Sequence, residues 1–181
     1  MPRWLNRTTA GKERVLLKTR HPGDIDISST QHYSCVVIPP FNRRGNLPPG
    51  IHAATRVELA ARFGGTIHRT KLLDGLRRAM VSLRDAGCKR IYVDGSFVTA
   101  KKVPDDHDGC WELEGVDPEK LNPILLNFDN KRAAQKKEFF GELYIADSRA
   151  EPSGTCFVEF FQRDRDGNTK GIVAIDLRKF K

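Results

Sequence analysis

Apolar and polar positions along this chain recur with two different periods, and the change of period divides it into elements. Between 68 and 86, Leu72, Leu73, Leu76, Met80 and Leu83 return every three or four residues. That spacing predicts an amphipathic helix, with Arg69, Arg77, Arg78 and Arg84 off its apolar stripe and Gly87 as its stop. A shorter helix is predicted ahead of it, opened by the capping box Thr55-Arg56-Val57-Glu58 and ended by Gly64-Gly65. Short apolar runs predict strands near 90–94, 106–112, 141–146, 156–162 and 171–177. The last two flank Asp164-Arg165-Asp166-Gly167-Asn168, whose Asp-Gly pair predicts a hairpin. Residues 34–40 read as a short strand closed by two prolines, and 41–54 as turns throughout. Asp117-Pro118 reads as the start of a short helix, and a polar helix is expected near 130–139. Helices first, then mostly antiparallel strands, make the expected class α+β: one sheet with helices packed on one side.

A chain of 181 residues with 39% hydrophobic content suits one domain with a sizeable core. No apolar run approaches the length of a membrane helix, and the basic N-terminus lacks an apolar signal core. The expected setting is therefore the cytoplasm, with no membrane partner. Cys35, Cys88, Cys110 and Cys156 are scattered without a CxxC pair, as reduced thiols are. The net charge of +8 is unevenly spread. Residues 1–20 carry Arg3, Arg7, Lys12, Arg14, Lys18 and Arg20 against Glu13 alone, which is +5 of the total. Residues 1–33 thus read as a basic extension, either a solvated tail or an arm for phosphate backbones, ahead of a domain at 34–181.

The candidate chemistry lies in 92–112, YVDGSFVTAKKVPDDHDGCWE. A buried strand ends in Gly95-Ser96, and ten residues on stand Asp106 and Asp108. On a strand these two aspartates project from the same face. Like charges so placed are costly unless a cation joins them, and oxygen-only ligation suits Mg2+ or Mn2+. Gly95 permits close backbone approach to a ligand, and Ser96 offers a hydroxyl to a phosphate oxygen. Lys101 and Lys102, or Arg132 and Lys136 at helical i and i+4, offer charge for a triphosphate. A zinc alternative can be written from two H-x-x-C pairs, His32/Cys35 and His107/Cys110. No Walker loop or dinucleotide-binding glycine fingerprint occurs.

Strand, Gly-Ser, about ten residues and Asp-x-Asp resembles the signature of the nucleotidyltransferase fold of DNA polymerase beta-like enzymes. With the flanks IPPFNRRGNLPPGIH, RFGGTIHRTKLLDGLRRA, CWELEGVDPEKLNPILL, RAAQKKEFFGEL and FVEFFQRDRDGNTKGIVAIDL, residues 36–178 resemble an uncharacterised family of small bacterial proteins grouped with such folds. The resemblance implies in-line displacement at a nucleoside triphosphate, with two divalent ions about 4 Å apart. It also implies a third carboxylate on a neighbouring strand. Glu142 is the first choice, with Asp147, Glu159 and Asp176 behind it. The chain departs from active relatives at Ala100, where they carry a second glycine, and at Gly109, where an apolar residue is usual. Two functions are therefore expected: nucleotide transfer to a nucleic acid, protein or small-molecule acceptor, or a non-catalytic binding module, such as one partner of a defence or toxin–antitoxin pair.

Overall fold

The computed structural model describes residues 38–180. The basic extension and residues 34–37 of the first expected strand lie outside them; residues 38–40 carry no strand. Five strands, β1 (Gly50–Ala54), β2 (Arg90–Asp94), β3 (His107–Trp111), β4 (Gly141–Ile145) and β5 (Gly171–Asp176), form one sheet in the order β1-β5-β2-β3-β4. β2 runs antiparallel to both of its neighbours, while the β1/β5 and β3/β4 pairs are parallel. The class is α+β as expected, but the sheet is evenly mixed rather than mostly antiparallel.

The two predicted helices are α1 (Arg56–Phe63) and α2 (Ile67–Asp85). The capping box opens α1: the Glu58 N–H donates to Thr55 Oγ1 at 3.2 Å, and the Thr55 N–H donates to the Glu58 carboxylate at 2.6 Å. The apolar stripe of α2 buries Leu72, Leu76, Met80 and Leu83 against Ile91, Val93, Trp111, Leu143, Val173 and Ile175 of the sheet. Close approach at Gly75 lets α2 reach the end of α3 (Asp129–Phe139): a Cβ there would run into the Phe139 carbonyl. Helix propensity alone would make Gly75→Ala stabilising by about 1 kcal/mol. The clash with backbone overrides that gain, and urea denaturation of Gly75→Ala is expected to show a net loss of roughly 1–3 kcal/mol.

Several expectations fail. Residues 156–162 are not a strand; Phe157–Phe160 form a one-turn helix, α4, on the opposite face of the sheet from α2. β5 is already paired on both sides, so a further strand has no edge there. A helical turn instead puts Phe157 and Phe161 together against Tyr144, with ring centroids 4.0 and 5.7 Å away. Helical cover therefore lies on both faces, and the expected hairpin shrinks to one bridge, Arg163 to Thr169. Residues 50–54 are strand β1 rather than turn; an edge strand with one neighbour has no need of an apolar run. Asp117-Pro118 gives only a turn, and the following 3-10 turn starts at Pro123, capped by Asn122. Among the described residues no helix is long and apolar enough to cross a membrane.

Candidate functional site

Strand register builds the site. Asp94, the last residue of β2, stands opposite Asp108 of β3, and Asp108 stands beside Glu142 of β4. Three carboxylates thus share one face on adjacent strands, spaced by about 5 Å per strand. Asp106, one residue before β3, has the parity of Asp108. Gly95 turns the chain at the end of β2 with φ of 80°, and a Cβ there would strike the Asp108 carboxylate. Of the predicted set, Gly95 and Asp108 are thus in direct contact. Ser96 is half-buried and opens a 3-10 turn over Ser96–Val98.

The loop after Ser96 is pinned by Arg69 of α2, which is 8% exposed. Its guanidinium donates to the carbonyls of Phe63 (3.2 Å), Phe97 (2.8 Å), Thr99 (3.2 Å) and Lys101 (2.5 Å). An ammonium has neither the reach nor the fork to satisfy all four. Arg69→Lys is expected to cost roughly 2–3 kcal/mol in a urea melt. It should also speed amide hydrogen exchange at 97–101.

Positive charge faces the carboxylates from two sides. Lys170, 8% exposed just before β5, forms an ion pair with Asp94, which is 4% exposed. Lys136 of α3 lies 2.5 Å from Glu142 and 3.9 Å from Asp106. Arg132 lies 3.7 Å from Glu142 and stacks on Tyr144, whose hydroxyl donates to Glu142 at 2.8 Å. Arg132 reaches Glu142 from an unusual backbone: Asn130, Lys131 and Arg132 have φ of 46°, 55° and 56°, the left-handed region that non-glycine residues avoid. Gln135 ties α3 to the site strand by accepting from the Leu143 N–H at 2.8 Å.

Asp108 has no hydrogen-bond or ion-pair partner among the described residues. Burial, then the charges of Asp106, Asp94 and Glu142, push its carboxyl up to about 7, with Lys170 opposing. Asp106 is raised by burial, against the pull of Lys136. Burial also pushes Glu142 upward, but Lys136, Tyr144 and Arg132 outweigh it and hold it below the usual range. Asp94 is raised because burial outweighs Lys170.

The other predicted residues stand apart. Lys101 pairs with Asp105 at 2.6 Å, and Lys102 is exposed with no ion pair among the described residues. Asp147 and Glu159 are exposed, and Asp176 caps the 3-10 turn Leu177–Lys179 at the far end of β5. The zinc alternative fails on parity, as far as the described residues reach. His107 is buried in the α2-side core, with Nε2 donating to the Phe139 carbonyl at 2.9 Å, whereas Cys110 faces the α4 side. His32 and Cys35 lie outside the described residues. The cysteines described, Cys88, Cys110 and Cys156, are free. Sequence reasoning missed Asp94, Lys170, Tyr144 and Arg69. Asp94 alone left a signal, as a carboxylate ending an otherwise apolar run.

The match to known sequences covers this whole arrangement: DUF6932, a family of unknown function, matches residues 39–176. The chain belongs to the DUF6932 family. No curated protein and no solved structure matches it. The matched span runs from before β1 through β5, so every element that positions the carboxylates is part of the DUF6932 domain. Among the described residues of this DUF6932 protein, no three His, Cys, Asp or Glu side chains converge in metal-holding geometry. Strand register brings the carboxylates side by side, but the present side-chain directions give Asp94 to Lys170 and Glu142 to Lys136. Register is fixed by the sheet, while the Lys136 side chain is 43% exposed and is held by its ion pairs alone.

Proposed function

We propose that this protein is a metal-dependent nucleotidyltransferase with a polymerase beta-like fold. It moves a nucleotide from a nucleoside triphosphate to a nucleic acid, protein or small-molecule acceptor. The observation that carries this reading is Gly95-Ser96 at the end of one strand, set against Asp108 on the antiparallel neighbour, with Asp106 just before that strand.

The donor set fits a divalent cation. Asp108 is flanked by carboxylates and makes no ion pair of its own among the described residues, and hard oxygen ligands suit Mg2+ or Mn2+. Asp106, Asp108 and Glu142 would hold the ion, which when bound neutralises charge on the phosphoryl oxygens. Ser96 offers its hydroxyl to a phosphate oxygen, and Gly95 lets the Asp108 carboxylate lie against the turn that carries Ser96. Lys136, turned from Glu142, and Arg132 supply charge for the triphosphate. In the reaction an acceptor oxygen attacks the α-phosphorus, and the bond from that phosphorus to the α,β-bridging oxygen breaks. Pyrophosphate leaves, and the acceptor's proton is released to water.

A second reading, a non-catalytic binding module, is favoured by one observation. Lys170, Lys136 and Arg132 already neutralise Asp94 and Glu142 within the chain. Melting with each nucleoside triphosphate in Mg2+ or Mn2+ separates the two. Transfer requires the native state to bind metal and nucleotide, worth about 2.7 kcal/mol at a hundredfold excess over Kd. A melting temperature unmoved by every triphosphate leaves the binding module standing.

A further inference from the structure

We infer that Lys170 is a resident cation of this site: its ammonium, locked onto Asp94, fills the place of a second metal ion, so the carboxylate row takes one divalent ion and not two. This rests on the metal-site reading above.

The two lysines at the row differ in kind. The Lys136 side chain is 43% exposed and shared between Glu142 and Asp106, so an incoming cation can displace it into water. The Lys170 side chain is 10% exposed, and its partner Asp94 is 6% exposed at the side chain. Withdrawing Lys170 would strand a carboxylate in the interior, which is strongly disfavoured. Strand register then fixes the consequence. Asp94 is the direct cross-strand neighbour of Asp108, so the ammonium on Asp94 occupies the side of Asp108 away from Glu142. A divalent ion on that side would need an Asp94 oxygen and would be repelled by the ammonium. The side toward Glu142 and Asp106 is guarded only by the displaceable Lys136. Tyr144 and Arg132 remain there to orient Glu142 when Lys136 leaves.

The test is Mn2+ titration of the full chain at neutral pH, read from the electron paramagnetic resonance signal of free Mn2+. The parent is expected to take up one ion per chain. Lys170→Met is expected to take up two, because Asp94 is then free to ligate. Should that variant not fold, Asp94→Asn/Lys170→Met removes both charges together and decides the matter. It is expected to keep one ion, with an affinity changed by less than about tenfold. Two ions on the parent, or loss of the ion from the double variant, would overturn the inference; the first outcome leaves the metal-dependent function standing. No Mn2+ on the parent would overturn both.

Discussion

Asp108→Asn is expected to melt at a higher temperature than the parent at pH 8 without metal, and to lose the parent's response to Mn2+. The carboxyl of Asp108 is raised from an ordinary 3.8 to about 7, first by burial and then by Asp106, Asp94 and Glu142. The folded protein therefore holds this proton more tightly than the unfolded chain does. The contribution of Asp108 to stability is full below about pH 4, falls as pH rises toward about 7, and stays low above it. A shift of that size corresponds to about 4 kcal/mol as a ceiling. Asparagine carries no charge at any pH and forfeits no hydrogen bond that the aspartate makes among the described residues. His107 imposes the opposite slope: burial lowers it to about 4, so its contribution to stability is lost as pH falls from about 6.5. The two slopes oppose each other in the parent. The measurement is therefore the difference between Asp108→Asn and the parent, followed by circular dichroism melts from pH 4 to pH 8. It is expected to be near zero at pH 4 and to grow to a plateau above pH 7. A variant no more stable than the parent at pH 8 would mean that the charge on Asp108 is already compensated.

Breaking the pair across the sheet should have the largest effect on stability. Lys170→Met leaves Asp94 buried without a counter-charge, and removal of one partner of a buried pair costs about 3–5 kcal/mol. Asp94→Asn/Lys170→Met removes both charges and is expected to recover most of that loss. Urea denaturation of the two single variants, the double variant and the parent gives the coupling energy directly. A Lys170→Met variant within experimental error of the parent would show that the ammonium does not compensate Asp94.

The parts of this fold legible in the sequence are those whose signals are local. The period of Leu72, Leu76, Met80 and Leu83 marked α2, and Thr55 with Glu58 marked the start of α1. Asp106 and Asp108 disclosed a shared face through parity alone. Glu142 was reached through the family resemblance, and the register of β3 with β4 puts it beside Asp108. Non-local information was out of reach. Residues 157–161 carry aromatic strand-like composition, but β5, the strand they lead into, is already paired on both sides, and a helical turn sets Phe157 and Phe161 on Tyr144. Asp94 and Lys170 are 76 residues apart, and nothing in either neighbourhood announces the pair. Arg69 reads as a polar position on an amphipathic helix, yet it is the side chain that holds the Gly-Ser loop. Asn130–Arg132 read as plain helix, because no propensity signals a left-handed turn at three non-glycine residues.

The central claim is tested most directly by transfer from triphosphates labelled at the α-phosphate. The full-length parent, Asp106→Ala and Asp108→Ala would be incubated side by side with Mn2+ or Mg2+ and cell extract, with melting curves to show that all three are folded. The account predicts that the parent labels an acceptor and releases pyrophosphate, and that neither variant does. A parent that labels nothing in either metal, or an active parent whose two folded variants keep full activity, would contradict it.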